Sequence, residues 1–389
     1  MTAPLDGVIV VSLEQAIAAP LATRHLADLG ATVLKVEPPD GGDFARHYNT
    51  TMEGQSTFFV WANRGKQSIA LDLNDTDDRA QLEALIRGAD VFIQNMSPAA
   101  AERAGVTAAQ VTARHPHLIA CEITGYGSGG PRTDDKAYDL AIQAEAGVIA
   151  VTGSADQMSK VGFSAADISA AMYALSSILA ALYRRSTTGK GAAISLSMLE
   201  CMTEWTAVPV YEAAHKGTSP ERAGHRHASI APYGIYELGD RSSVIVAVQS
   251  DRDWAAFAKG VLANDQLIDD VRFAGNEARI ANIDELEREI ASVFSTIPAA
   301  EVMKRLGASQ VVWARAREPL AVWEHEQHHA RDRFLPTAVP AGEVVTFRPP
   351  FNISDTPGPI AAVPALNEHD PALVAEIEQR RLSPLPEST

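Results

Sequence analysis

The strongest constraint on the fold lies near the start of the chain, where two short apolar runs flank a segment with helical spacing. The runs at residues 8–13 and 32–36 each have the length and composition of a buried strand. Between them, residues 18–29 have helical spacing, with Pro20 near the start, where proline is tolerated. Gly30 follows at once, as a glycine that ends a helix commonly does. Short loops between such elements are typical of parallel strands, so this segment predicts the first unit of a parallel sheet.

The same alternation continues through the first half of the chain. Residues 68–71, 91–94 and 118–124 predict strands, and residues 78–87 predict a helix. A long helix is predicted over residues 167–185. The pattern predicts a doubly wound α/β domain, whose ligands bind at the carboxyl ends of the strands.

Changes in residue composition and in the predicted elements divide the chain into three parts. We predict a large domain over residues 1–215 and a smaller α+β domain over residues 225–330. Residues 335–389 contain seven prolines in their first thirty positions and predict an extended tail that returns to the large domain (Pro336, Pro340, Pro349, Pro350, Pro357, Pro359 and Pro364).

One acidic residue stands at the mouth of the long helix. Asp167 precedes the nearly uncharged run at residues 170–183. A carboxylate there can cap the helix, where it accepts free backbone N–H groups and meets the positive end of the dipole. It can also be a nucleophile that forms covalent intermediates. The residues of this segment leave both interpretations open.

Composition excludes several classes of function. The chain has 33 Lys and Arg against 49 Asp and Glu, a net charge of −16, whereas non-specific nucleic-acid binding needs a basic surface. Two cysteines, Cys121 and Cys201, provide no disulfide framework and fit a reducing compartment. The N-terminus lacks the pattern of a secretion signal, and serine and aspartate interrupt the best apolar run, residues 165–183. We therefore expect a cytoplasmic protein that does not bind membranes.

Two short motifs match known sites but lack the context that those sites require. Residues 125–130 fit G-x-G-x-x-G after a strand, yet residues 131–135 read as a loop where a dinucleotide site needs a helix. Residues 325–329 fit H-E-x-x-H without an evident third zinc ligand. We expect neither a nicotinamide or flavin site nor a metal site.

Seven strings occur in an order that resembles the family III CoA-transferases, which include formyl-CoA transferase, carnitine CoA-transferase and alpha-methylacyl-CoA racemase. The strings are AAP (18–20), LADLGATVLKVE (26–37), GDFAR (42–46), NRGKQSIALDL (63–73), GYG (125–127), TGKG (188–191) and APYG (231–234). The resemblance covers residues 7–376. It implies Asp167 as the catalytic nucleophile.

The resemblance also implies a set of residues that bind CoA or the acid. They are Ile17, Ala18, Arg46, Arg64, Lys66, Leu71, Asn74, Asn95, Met96, Arg103, Gly125, Gly127, Lys136, Ala137, Tyr138, Asp139 and His227. Pro38 and Asn74 replace an arginine and a lysine that hold CoA phosphates in formyl-CoA transferase, and a glutamine of its pocket is absent at Ile17–Ala18. The glycine run of its closing loop is not found around residues 224–228. Identical CoA contacts and formyl-CoA:oxalate specificity therefore do not follow.

The implied activity is transfer of CoA from an acyl-CoA, with succinyl-CoA as our expectation, to a small di- or hydroxycarboxylic acid. The implied route is an aspartyl anhydride and an aspartyl-CoA thioester, with the CoA thioester as substrate and no permanently bound cofactor. The family also implies an interlaced homodimer. A 2-methylacyl-CoA racemase or epimerase is the main alternative, and a CoA-binding protein without chemistry is another. Tyr138 stands where the racemases have a histidine, which favours transfer because a phenol with a pKa near ~10 exchanges carbon-bound protons poorly.

Overall fold

The computed structural model describes residues 2–381. Its strands, in chain order, are β1 (Ile9–Leu13), β2 (Thr32–Glu37), β3 (Lys66–Ala70), β4 (Val91–Gln94), β5 (Ile119–Thr124), β6 (Ala192–Ser197), β7 (Tyr233–Glu237), β8 (Ser243–Ala247), β9 (Val312–Arg315), β10 (Phe334–Val339) and β11 (Gly342–Phe347). Its helices are α1 (Ala18–Asp28), α2 (Thr57–Asn63), α3 (Thr76–Gly88), α4 (Pro98–Ala104), α5 (Ala108–Arg114), α6 (Asp139–Glu145), α7 (Val148–Val151), α8 (Ala165–Thr188), α9 (Met198–Trp205), α10 (Ala207–Lys216), α11 (Asp251–Gly260), α12 (Gln266–Asp269), α13 (Asn276–Ala281), α14 (Ile283–Phe294), α15 (Ala299–Ala308), α16 (Pro319–Trp323), α17 (Glu326–Ala330) and α18 (Pro371–Gln379), with a 3₁₀ helix at Phe44–His47.

Six parallel strands form the main sheet, in the order β3-β2-β1-β4-β5-β6. The central strand β1 pairs with β2 on one side and β4 on the other, so Val10 faces both Val33 and Val91. This is a doubly wound sheet, the class predicted from the sequence. The order in which successive strands are added changes from one side of β1 to the other, so the topological switch point lies between β1 and β4. In such sheets ligands bind outside the carboxyl ends of the strands at that switch point. The loops after β1 and β4 are therefore expected to border the site.

The sheet is buried because its strands are apolar and helices cover it. Val10 and Val11 of β1 are fully buried. The helix α1 buries ten consecutive residues, Ala18 to Ala27, and packs against α8. Gly30, with a φ of +99°, then turns the chain into β2.

The helix α8 is longer and more apolar than the sequence analysis allowed. Its 24 residues meet the length and composition of a membrane span, although half of the apolar window is buried inside the protein. It packs against α1, α9 and α6. Serine and aspartate did not interrupt it, because Ser169 is buried and bonds the carbonyl of Ala166 within the helix. These contacts are those of a core helix.

The chain divides into two compact units, of which the first comprises residues 1–148, 161–215 and 330–389. Within it, the C-terminal segment forms more regular structure than the prolines predicted, namely the antiparallel hairpin β10–β11 and the helix α18. Pro336 is tolerated because, among the described strands, β10 pairs with β11 alone, and its other edge is bridged only at Ala338, to Ala362. The segment also contacts Asp90, whose carboxylate pairs with Arg380 at 3.2 Å and Arg381 at 2.8 Å.

The second unit comprises residues 149–160 and 216–329. It therefore takes in the segment 149–160, which the sequence analysis placed in the large domain. Its antiparallel sheet has the order β7-β8-β9, and its core contains Trp254, Phe257 and Phe294. A small α+β unit was predicted here.

Candidate active site

Asp167 occupies the first turn of α8, two residues after the helix begins at Ala165. The residue that precedes the helix is Ser164, and its side chain makes no capping hydrogen bond. Asp167 is half-buried, and within residues 2–381 its carboxylate accepts no hydrogen bond and pairs with no cation. This is an unusual state for a partly buried carboxylate, because buried charges are normally paired.

A different carboxylate caps the helix. Asp139, the first residue of α6, accepts hydrogen bonds through Oδ1 from the backbone N–H of Ala166 at 2.8 Å and, at a longer 3.4 Å, from that of Asp167. Its other oxygen, Oδ2, accepts from the amide of Gln143 at 2.6 Å. The interpretation of Asp167 as a helix cap is therefore wrong, and Asp139 has that role.

The surroundings of Asp167 disfavour its charged form. Burial, followed by the negative charge of Asp139, raises the pKa of Asp167 to about 7. Desolvation and a like charge both act in this direction for a carboxyl group. The carboxylate is consequently much more basic than an ordinary aspartate and still ionises near neutral pH.

Tyr48 is a residue of the site that the sequence analysis missed. Burial and the charges of Asp43 and Asp167, together with Tyr138, raise the pKa of Tyr48, which places these groups within electrostatic reach of one another. The Tyr48 ring packs edge-on against Phe58 at 5.2 Å, and 46% of the residue is exposed. Its position two residues after the GDFAR string was the available signal. Tyr138 is 71% exposed at the start of α6.

The loop between β5 and α6 carries four further predicted residues. A Cβ atom at Gly125 would collide with the side chain of Ala137, so the glycine lets the loop fold back on itself. Gly127 has a φ of +82°, and its N–H donates to the hydroxyl of Thr124 at 3.1 Å. The next helix after Gly125 begins at Asp139, whereas a dinucleotide site needs a helix directly after its glycines.

The turn between β1 and α1 is held by two side chains, one just after β4 and one in the loop that follows β2. Asn95, just after β4, accepts from the N–H of Gln15 at 2.9 Å and donates to its carbonyl at 2.8 Å. The N–H of Ala16, a residue with a φ of +63°, donates to Asp43 at 3.0 Å. The turn delivers the buried residues Ile17 and Ala18 to the start of α1, which has no side-chain cap. Two of the predicted positions therefore present backbone rather than polar side chains.

A buried charge network lies beneath that turn, and we name it the Lys35 network. Lys35 donates to Asp43 at 2.8 Å and to the carbonyl of Glu14 at 3.1 Å, and all three side chains are fully buried. Burial alone would lower the pKa of Lys35, but the charges of Asp43, Glu14 and Glu37 outweigh it and raise that pKa. The charged residues of the LKVE string are thus part of the core.

Buried carboxylates also hold Arg46, Arg64 and Lys66, which were predicted to contact phosphates. Lys66 gives its three donors to Glu14, Asn63 and the carbonyl of Pro20, at 2.7–2.9 Å. Arg46 binds both oxygens of Glu37, and Arg64 binds both oxygens of Asp28. The side chains of Lys66 and Arg64 are 0% and 3% exposed. The phosphate contacts predicted for these three residues are therefore not supported.

Other predicted cations remain available. Arg103 in the last turn of α4 and Lys136 in the loop before α6 are both exposed, and neither forms an ion pair within the described part of the chain. Asn74 is exposed and bonds Asp72 at 2.9 Å. Leu71 is buried, and Met96 is partly buried.

His227 lies in the second unit. Its ring stacks on Tyr233 with centroids 5.0 Å apart, and its Nδ1 accepts from the N–H of Ser229 at 3.1 Å. The H-E-x-x-H match in the same unit begins at His325, one residue before the five-residue helix α17. Within residues 2–381 no group of three or more side chains that could hold a metal ion is present. The pattern at residues 325–329 thus lacks the ligands of a zinc site.

Comparison with known proteins extends these observations. The model of "CoA-transferase family III" matches residues 5–370. The chain is 35% identical to acetyl-CoA:oxalate CoA-transferase of Acetobacter aceti over 76% of each chain. It is 32% identical to succinyl-CoA:mesaconate CoA-transferase of Haloarcula hispanica over 96% of each. A crystal structure of a CaiB/BaiF family protein from Brucella suis superposes with a TM-score of 0.86 and 32% identity, covering 97% of this chain and 100% of that one.

Proposed function

The chain belongs to CoA-transferase family III and is an acyl-CoA:carboxylate CoA-transferase, and on this premise we propose that Asp167 carries the acyl and CoA groups as covalent intermediates. The observation that carries the proposal is the Asp167 carboxylate itself. It is half-buried, accepts no hydrogen bond within the described residues, and has a pKa raised to about 7 by burial and by Asp139. A more basic carboxylate that no donor holds is a better nucleophile.

The reaction proceeds in four displacements that need no proton transfer. An oxygen of Asp167 attacks the thioester carbon, the C–S bond breaks, and a mixed anhydride and CoA thiolate form. The thiolate attacks the Asp167 carbonyl carbon, releasing the donor acid and leaving an aspartyl-CoA thioester. The acceptor carboxylate attacks this thioester and expels the thiolate, which then attacks the acyl carbon of the acceptor and frees Asp167. Each covalent state has a neutral Asp167, so forming it relieves the repulsion from Asp139.

The CoA portion has two candidate contacts in the first unit. Arg103 and Lys136 are exposed cations in the segments that follow β4 and β5. Ligands of this fold bind outside the carboxyl ends of such strands. Charge-assisted bonds from such residues suit phosphate oxygens. They support a CoA orientation that does not use Arg46, Arg64 or Lys66.

The proposed acceptor is a small dicarboxylic acid. Oxalate and mesaconate, named for the two relatives, are both dicarboxylates, and succinyl-CoA is the donor named for one of them. A panel of acyl-CoA donors and mono-, di- and hydroxycarboxylic acids tests this choice. Preference for monocarboxylic acceptors would overturn it.

Mass spectrometry of the intact protein tests the covalent route. After incubation with succinyl-CoA, the protein should gain the mass of CoA less water, and peptide mapping should place the adduct on Asp167. Addition of an acceptor acid should discharge it. A protein that transfers CoA without any adduct would contradict the proposal.

Solvent deuterium separates transfer from racemisation. We predict that the unmutated protein incorporates no deuterium at the alpha carbon of a 2-methylacyl-CoA, because Tyr138 stands where the racemases have a histidine and Asp167 can serve only one face. Tyr138→His is the companion variant, since imidazole titrates near neutral pH and can exchange a proton. Rapid alpha-deuteration by the unmutated protein, with no CoA passing to a free acid, would replace transfer by racemisation.

The proposed assembly is a homodimer in the cytoplasm. The helix α10 buries none of its residues, and Val208, Val210 and Tyr211 are all exposed on it. An apolar helix face of this kind is typical of a subunit interface. Light scattering should give twice the mass of the chain, and a monomer at micromolar concentration would contradict the proposal.

The proposed compartment is supported by the two cysteines. Cys121 and Cys201 are buried and form no disulfide bond, and such bonds are rare in proteins of a reducing compartment.

A further inference from the structure

Gln143 joins Asp139 to the segment that leads into α8. This side chain is fully buried, and its amide donates to Asp139 at 2.6 Å and, more weakly, to the carbonyl of Phe163 at 3.3 Å. Its oxygen accepts from the N–H of Val161 at 2.9 Å. One residue of α6 thereby fixes both the approach to α8 and the carboxylate that caps it. We call Asp139 and Gln143 the α6 clamp.

The α6 clamp gives the helix an anionic cap that is not the nucleophile. The free N–H groups of a helix start attract a nearby carboxylate, and Asp167 would be the local candidate for this role. Instead, the N–H of Ala166 donates its hydrogen bond to Asp139 at 2.8 Å. The Asp167 carboxylate is consequently left without a helix hydrogen bond and next to a second negative charge.

We propose that Asp139 is a positioning residue of the transfer reaction, which caps α8 in place of Asp167 and keeps a negative charge beside the Asp167 carboxylate. The inference rests on the proposed covalent role of Asp167. Aspartyl anhydride and aspartyl thioester are uncharged, so Asp139 repels the free carboxylate more than either intermediate. The charge of Asp139 therefore shifts the equilibrium toward the acylated enzyme and makes the free carboxylate a stronger nucleophile. Gln143 orients Asp139 for both effects.

Among the described residues, Asp139 is the charged group that raises the pKa of Asp167. Tyr48 also lies within electrostatic reach and is a neutral phenol at neutral pH. The elements packed on α8 carry further titratable groups, namely Arg24, His25 and Asp28 of α1, Glu145 of α6, Glu200, Cys201 and Glu204 of α9, and Cys121 and Glu122 of β5. The test can therefore concentrate on one charge.

The decisive experiment is an infrared titration of the Asp167 carboxyl group, whose band is identified by its absence in Asp167→Asn. In Asp139→Asn the titration midpoint should fall by about one pH unit or more, because a like charge is removed. The amount of enzyme–CoA adduct at equilibrium should fall by about tenfold per unit of that shift. Asp75→Asn is the matched control. Asp75 caps α3 through Asp77 and Asp78, so the same substitution weakens a helix start without changing the Asp167 midpoint.

A second variant covers the case in which Asp139→Asn misfolds, since its amide would face the amide of Gln143. Asp139→Asn with Gln143→Glu restores a donor–acceptor pair and moves the charge to residue 143. Its midpoint should lie between those of the unmutated protein and the single variant. A midpoint at or above that of the unmutated protein, in either variant, would overturn the inference. The infrared titration does not require catalysis, so it tests the effect of Asp139 on Asp167 even if the covalent mechanism fails. Absence of any CoA adduct in the unmutated protein would refute the covalent mechanism alone.

Discussion

Replacement of Asp167 by alanine or asparagine is expected to lower CoA transfer by more than about a thousandfold, as removal of a covalent nucleophile typically does. The covalent route has no substitute for this carboxylate, since within the described residues the neighbouring acid, Asp139, is committed to Ala166 and Gln143. Steady-state transfer from succinyl-CoA and the mass of the intact protein measure the effect. Residual turnover above a few per cent, or an adduct mapped to Asp139 or Glu145, would contradict the assignment.

The stability of the same variant shows whether the loss is catalytic. A carboxyl group whose pKa is raised on folding favours the folded state below its unfolded pKa, and this contribution is lost as pH rises through the folded pKa of about 7. The ionised Asp167 therefore destabilises the protein at pH 8. Asp167→Asn should be more stable than the unmutated protein there, by on the order of 2 kcal/mol, with a smaller difference near pH 4. Denaturant unfolding at the two pH values measures this, and a destabilised variant at pH 8 would contradict the raised pKa.

The second large effect concerns the Lys35 network. Asp43→Ala is expected to lower the free energy of unfolding by about 3–5 kcal/mol, because it leaves the Lys35 ammonium buried without its 2.8 Å partner. It also removes the acceptor for the N–H groups of Ala16 and Ala45. The turn before Ile17 should loosen in the same variant. Urea denaturation followed by tryptophan fluorescence measures the loss.

The control for that experiment is a charge pair near the surface of the same unit. Glu83 binds Arg114 at 2.9 Å, with both side chains 40% exposed, so Glu83→Gln should cost less than about 1 kcal/mol. A double variant, Lys35→Met with Asp43→Asn, should recover part of the loss, because it leaves no unpaired buried charge. If Asp43→Ala were no more harmful than Glu83→Gln, the pairing in the core would not be what stabilises this region.

The main sheet was predictable because its strands obey a simple local rule. The apolar runs that become β1, β2 and β4 are short, uninterrupted and separated by helical segments, which is the pattern of parallel strands buried on both faces. Gly30 marked the end of α1 because its positive φ is a conformation that glycine adopts without steric cost, and this preference can be recognised in a sequence. The C-terminal segment was misjudged because its prolines suggested an extended chain, whereas Pro336 fits a strand with one neighbour.

The site was only partly predictable, since its arrangement depends on contacts between distant residues. Asp167 could be singled out, but it does not cap α8 because Asp139, 28 residues earlier, accepts the hydrogen bonds of the helix start. Arg46, Arg64 and Lys66 looked like phosphate ligands because cations are usually exposed, and only their partners Glu37, Asp28 and Glu14 show otherwise. Charged residues inside the apolar strand β2 were a signal of buried pairing that sequence reasoning did not use.

The first unit is assembled from the beginning, the middle and the end of the chain, and this has a consequence for its biosynthesis. Arg64 donates to the carbonyl of Phe347 at 2.8 Å, and Arg380 and Arg381 reach Asp90 beside the first-made strands. A ribosome must therefore translate as far as residue 381 before all of these partners exist. The second unit is mostly one continuous stretch and is synthesised earlier than residues 330–389 of the first unit. The six strands of the main sheet end at Ser197 and are made before most of the second unit, whereas residues 330–389 follow it. A chain that stalls before residue 330 therefore leaves Asp90 and Arg64 without the partners that the C-terminal segment supplies.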